Sequence, residues 1–198
     1  LIVLIADLVS GKQYKKKKHI ILTKYSDSEL QLSDIHIASQ LKKTQKENKF
    51  SKYFGYDMIP IASSIFSVQN PMVYAFCEVY NLKYDENSPR TYNVHYSIND
   101  LNGNEVKDLE WITRHKPGDS SVEVNGINIV SLSSGLYNLK IEVIDNETNE
   151  NASATKRFYV LKESNVNKLA QLMETAYLSE LTEEELGEKW GPMRYIAT

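Results

Sequence analysis

The chain has 198 residues, 41% of them hydrophobic and 25% charged, a make-up that suits one large globular domain or a small domain with additions. Its net charge of −3 supplies no basic surface, which argues against generic nucleic-acid binding. The single cysteine, Cys77, excludes an internal disulfide; a lone thiol fits a reducing compartment and is also compatible with a bacterial periplasm.

Residues 1–9 are apolar, interrupted by Asp7, and are followed by Lys12 and the run Lys15, Lys16, Lys17 and Lys18. Nine residues are too few to span a bilayer, so a strand leading into a lysine-rich hairpin loop is the better reading. Strand-like runs follow at 19–25 and 30–38. Three strands make a poor sandwich alone, so residues 1–40 read as the closing strands of a preceding β domain. The start at Leu1 and the end at Thr198 fit a part of a longer protein. Residues 41–52 are polar and basic and read as a linker.

Residues 53–162 carry the β pattern. Strand candidates lie at 71–82, 90–100, 105–114, 120–130, 136–144 and 152–161, with a seventh within 58–68. Turn chemistry separates them at Asn87-Ser88-Pro89, Asn102-Gly103, Pro117-Gly118 and 145–151. About seven short strands at this spacing, without intervening helices, predict an antiparallel sandwich. The clearest strand is Gly135-Leu136-Tyr137-Asn138-Leu139-Lys140-Ile141-Glu142-Val143, which alternates strictly; its glycine-then-tyrosine entry is typical of immunoglobulin-like sandwiches. Tyr92, Val94, Tyr96 and Ile98 form a second clean face. Met72–Tyr80 is the exception. Val73, Ala75, Cys77 and Val79 occupy one face, but Met72, Tyr74, Phe76 and Tyr80 occupy the other, so a neighbouring domain, a C-terminal helix or a partner should cover the Tyr74 face.

From Ser164 the period becomes helical, with Val166, Leu169, Leu172, Met173, Ala176 and Tyr177 on one stripe. Thr182-Glu183-Glu184-Glu185 is a capping box for a second, short helix, and Gly191-Pro192 should end it. Residues 163–198 thus read as a helical segment leading into a further C-terminal region. The chain is polarised: eleven lysines lie within 12–52, and seven acids lie within 163–188.

No catalytic constellation stands out. His19, His36, His95 and His115 have no metal-ligand spacing with one another or with Cys77. There is no Gly-x-Ser-x-Gly elbow and no phosphate-binding glycine loop. Cys77 lies mid-strand among valines, as an inert buried thiol would. Oxygen donors in 145–151 could hold calcium, but the run lacks the glycine and closing acid of an EF-hand loop and reads better as a polar hairpin loop. Asn146-Glu147-Thr148 and Asn151-Ala152-Ser153 are formal glycosylation sequons, relevant only in a secreted eukaryotic protein. The expectation is therefore no catalytic residue, no metal and no cofactor.

Four segments occur in order: Leu32-Ser33-Asp34-Ile35-His36-Ile37-Ala38, Val73-Tyr74-Ala75-Phe76-Cys77-Glu78-Val79-Tyr80-Asn81-Leu82, Gly135–Asp145 and Arg157-Phe158-Tyr159-Val160. Together they resemble the bacterial family of GWxTD domain-containing proteins, in which a leucine-serine-aspartate-isoleucine motif closes one β domain and a second sandwich follows. The helical stripe from Val166 and the stretch Glu185 to Trp190 resemble the approach to the naming motif. The Gly-Trp-x-Thr-Asp motif itself is absent from these residues. The resemblance implies a bacterial cell-envelope protein, periplasmic or outer-membrane associated, and supplies no catalytic residues.

The reading is a mainly β, immunoglobulin-like sandwich that acts as a non-enzymatic structural or protein-interaction module. Tyr74, Phe76 and Tyr80 are the candidate interface, and the expected partners are other proteins or neighbouring domains of the same polypeptide. Nucleic acid is not expected, and membrane association is expected only through parts outside this chain. The alternative is a carbohydrate-binding or accessory sandwich of a surface enzyme, since exposed aromatics stack on sugars. An enzyme in its own right would need a cleft with convergent polar groups, which nothing in the sequence places.

Overall fold

A computed structural model of the chain describes residues 2–7, 9–17, 24–44, 55–61, 64–67, 70–87 and 90–162. The helices expected in 163–198 and most of the strand expected at 19–25 lie outside these residues. The described part is a mainly β, immunoglobulin-like sandwich.

The first two strands, β1 (Ile2–Ala6) and β2 (Gln13–Lys17), form a separate antiparallel hairpin. Its turn is short and capped locally: the Asp7 carboxylate accepts from the Val9 amide at 2.9 Å and the Ser10 hydroxyl at 2.5 Å. Lys15, Lys16 and Lys17 therefore lie in a paired strand rather than in a loop. The loop ends earlier than the lysine run suggested because Asp7 closes the turn itself.

One sheet of the sandwich contains β3 (Gln31–Leu32), β4 (His36–Lys43), β5 (Tyr56–Pro60), β7 (Met72–Tyr80) and β11 (Ser121–Asn128). The other contains β6 (Ile65–Ser67), β8 (Thr91–Asn99), β9 (Glu105–Asp108), β10 (Ile112–His115), β12 (Gly135–Asp145) and β13 (Asn151–Leu161). The order β10-β8-β12-β13 facing β11-β7-β4 is that of an immunoglobulin-like sandwich. All pairings are antiparallel except β13 with β6. Residues 31–43 belong to the first sheet, because β3 and β4 both hydrogen-bond to β7. Strand β4 runs through residue 40, so the basic stretch that reads as a linker begins inside a strand.

Alternation places the core. Val73, Ala75, Cys77 and Val79 of β7 face Tyr92, Val94, Tyr96 and Ile98 of β8 and Leu139, Ile141 and Val143 of β12 in one buried cluster. The entry to β12 explains its glycine and tyrosine together. The Tyr137 ring folds back over Gly135, where a Cβ would come within 3.3 Å of it, and its hydroxyl donates to the Ser133 carbonyl at 3.1 Å. That is the tyrosine corner of such sandwiches.

Strand β11 inverts the usual rule. Glu123 points into the core and is 2% exposed, while Val122 and Val124 point outward. The inversion is tolerated because the opposite sheet supplies donors: the hydroxyls of Tyr92 and, at 3.0 Å, Tyr96 both donate to the Glu123 carboxylate. The Arg114 guanidinium stands 3.7 Å from it. Burial, with the Glu123 charge, pushes both tyrosine hydroxyls well above their ordinary range, so they remain donors at all ordinary pH. Tyr96→Phe should thus leave the buried carboxylate short of a donor and cost about 1–3 kcal/mol; urea unfolding of the variant beside the parent chain measures it.

Candidate functional site

Three surfaces combine chemistry with exposure. The outer face of the first sheet is the one picked out in the sequence. Phe76 is 1% exposed and packs with Ala38 and Met58, and Leu41, Tyr74, Val122 and Val124 close around this trio. His36 meets the Phe76 ring edge-on at 6.4 Å. Strands β4 and β5 thus supply part of the cover that the doubly apolar β7 requires. Tyr74 is half-buried and lies over Gly126, where a Cβ would come within 3.1 Å of its ring. Tyr80 is half-buried too; its hydroxyl donates to Glu78, and its ring meets Tyr25 edge-on at 5.4 Å. Phe76 is therefore a packed side chain rather than an open contact, and Tyr74 and Tyr80 are the accessible members of the trio.

The outer face of the second sheet is polar over its middle. Register places Asn93, His95, Ser97 and Asn99 of β8 beside Asn138, Lys140, Glu142 and Ile144 of β12, with Ser153, Thr155 and Arg157 of β13 beyond. The run expected as one strand at 105–114 is two, β9 and β10, because the register against β8 slips between the pairs Ser97–Asp108 and Val94–Ile112 and the chain leaves the ladder there. This break carries Trp111 onto His95, the rings stacked at 4.7 Å and 19°. His95 is buried; its Nε2 meets Asp108, and its Nδ1 stands 3.7 Å from Glu142. Neither Trp111 nor this stack was singled out in the sequence. The available sign was a tryptophan at the edge of a strand whose outward residues are polar.

The third surface is an open cleft of about 330 Å³ at one end of the sandwich, lined by Tyr84, Asp85, Glu86, Asn87, Arg90, His115 and Lys116. Its floor is a buried ion pair. Lys116 Nζ donates to Asp145 Oδ1 at 2.5 Å and to the Lys83 carbonyl at 2.9 Å. Asp145 also accepts from the amides of Lys83 and Glu147, each at 2.8 Å. Arg90 is held by Glu147 and Asp85. Both cations thus already have carboxylate partners. The 145–151 run is a structural hairpin turn: Asp145 is buried and saturated, and Asn146 bonds back to Thr91 and Asn93.

The remaining candidates resolve simply. Cys77 is buried, and burial, reinforced by the Glu123 and Glu78 charges, pushes its thiol up to about 12, which leaves it a poor nucleophile. Among the described residues no three His, Cys, Asp or Glu side chains gather as a metal site, and no helix is long and apolar enough to cross a membrane. His19 lies outside the described residues.

No family model and no curated protein matches the chain. Its fold is similar to parts of larger solved structures. One is a Bacteroides uniformis β-glucuronidase, at 12% identity and a TM-score of 0.34, over 66% of this chain and 14% of that one. Another is a family 123 glycoside hydrolase from Clostridium perfringens, at 12% identity and a TM-score of 0.36, over 66% and 28%. A third is a Bifidobacterium dentium β-glucuronidase, at 12% identity and a TM-score of 0.31, over 67% and 18%. The chain spans less than a third of each of these proteins, and no activity follows from the likeness.

Two expected outcomes test the packing. Phe76→Ser should cost at least the ~3–5 kcal/mol typical of emptying a buried phenylalanine site, whereas Tyr74→Ser should cost far less; chemical denaturation separates them. Lys116→Met should cost about 3–5 kcal/mol by stranding a buried carboxylate. Burial alone would raise the Asp145 carboxyl, but the Lys116 hydrogen bond and the Glu147 and Lys83 amides outweigh it and hold it below the ordinary value. A depressed carboxyl stabilises fully above its unfolded value near ~3.9, and that stability is lost as pH falls through the folded value. The parent chain should therefore lose stability from about pH 4 downward, and Lys116→Met should lose less over the same window, measured as melting temperature against pH.

Proposed function

We propose that the chain is a non-enzymatic structural and protein-interaction module of a larger bacterial cell-envelope protein, and that the outer face of the five-stranded sheet makes the contact. One observation carries the reading. Phe76 is fully packed, yet Tyr74, Leu41, Val122 and Val124 around it are only partly covered, which leaves a mixed apolar and hydroxyl-bearing rim on a rigid sheet. Tyrosine suits such a contact because its ring adds area at low entropic cost and its hydroxyl tolerates water. The resemblance of the Leu32-Ser33-Asp34-Ile35 and Val73–Leu82 segments to GWxTD domain-containing proteins supports the envelope setting. The occupant proposed for this face is a neighbouring domain of the same polypeptide.

Tyrosine nitration read by mass spectrometry tests this. Tyr74 and Tyr80 should be modified in the isolated chain and protected in the full-length protein. The paired substitution Tyr74→Ser and Tyr80→Ser should leave the chain folded and weaken its association with the remainder of the polypeptide, added as a separate fragment, by about tenfold or more. Equal nitration in both settings, or undiminished association, would show the reading to be wrong.

A further inference from the structure

The other sheet presents a second surface of opposite character. We infer that the outer face around Trp111 is a binding site for neutral oligosaccharide. Trp111 is 49% exposed on a face whose middle is otherwise polar. The indole is not loose: it is stacked on His95, and His95 is itself buried and held at Nε2 by Asp108. A ring fixed before binding loses little freedom when a ligand lies against it.

The neighbouring groups define the chemistry of the ligand. Lys140 Nζ is paired with Glu142 at 2.8 Å, and the Asp108 carboxylate is hydrogen-bonded to His95, so these groups already have partners. A charged ligand would have to displace a partner; a neutral one need not. One row along the sheet, the Asn93 amide is oriented from two sides: the Thr113 hydroxyl donates to its oxygen at 2.8 Å, and its nitrogen donates to Asn146 at 3.0 Å. The face therefore offers a fixed aromatic platform next to oriented hydrogen-bonding groups. A sugar ring has the complementary form, with an apolar C–H face for the indole and hydroxyls along its edge. An extended oligosaccharide can lie along a flat sheet and use both features together. The site does not depend on the interaction reading, because it occupies the opposite sheet.

Isothermal titration of the whole chain with cellohexaose, xylohexaose and chitohexaose, and with a charged hexagalacturonate, tests it. At least one neutral hexasaccharide should bind. Trp111→Ala should weaken that binding by about tenfold or more, Asn93→Ala should weaken it too, and Trp111→Tyr should restore most of it. The paired Tyr74→Ser and Tyr80→Ser chain should bind as the parent does, which separates this result from the interaction test. Three outcomes overturn the proposal: no binding of any neutral hexasaccharide at millimolar concentration, preferential binding of the hexagalacturonate, or binding undiminished by Trp111→Ala. Should Trp111→Ala fail to fold by circular dichroism, Asn93→Ala decides alone.

Discussion

A single buried carboxylate joins the two sheets of this sandwich. Glu123 projects from β11 into the interface, where an unpartnered charge would be strongly unfavourable, and Tyr92 and Tyr96 reach it from β8. These bonds fix how one sheet sits over the other, since a slip of one residue on either strand would turn the partners away. Much else follows. Tyrosine rather than phenylalanine stands on the inner face of β8 because a hydroxyl is needed there. Arg114, next to this interface on β10, comes close to the same carboxylate. With Glu123 turned in, Val122 and Val124 must face out, and they join Phe76 in the outer cluster.

That inversion accounts for the unusual character of β7. A strand buried on one side alternates; β7 is apolar on both sides because both are packed. Its inner residues meet β8 and β12, and its outer residues meet Ala38 of β4 and Met58 of β5. The six-stranded sheet keeps a polar exterior over its middle. The two outer faces consequently differ in kind, one apolar with tyrosines at its rim, the other polar over its middle beside a half-exposed indole. At one end of the molecule, Asp145 ties the β12–β13 turn to the segments carrying Lys83 and Lys116.

Much of the fold was legible before the tertiary structure. The strands β8 and β12 were readable because apolar residues that face the opposite sheet alternate with polar ones, which writes a period of two into the residues. The Gly135 and Tyr137 entry pointed to an immunoglobulin-like sandwich, and the fold shows it as a tyrosine corner. Other features were not legible. The attachment of β4 to β7 spans about 40 residues of chain, and basic residues at 42 and 43 look alike in a strand edge and a linker. The division of 105–114 into two strands comes from a slip in register against β8 between Asp108 and Ile112, which no local pattern encodes. Nothing in the sequence around Lys116 signals burial; its meeting with Asp145 is made by the fold.

The sequence by itself determined where most strands of the sandwich lie and which faces of β8 and β12 turn inward, because alternation is a property of each strand's own geometry. It also marked Cys77 as buried and β7 as anomalous. The tertiary structure alone decided which strands become neighbours, and hence the three arrangements of chemical interest: Glu123 beneath two tyrosines, Lys116 on Asp145, and Trp111 on His95. Each joins residues at least 16 positions apart. The identity of a residue limits what it can pair with, but only the closed fold brings the partner within reach.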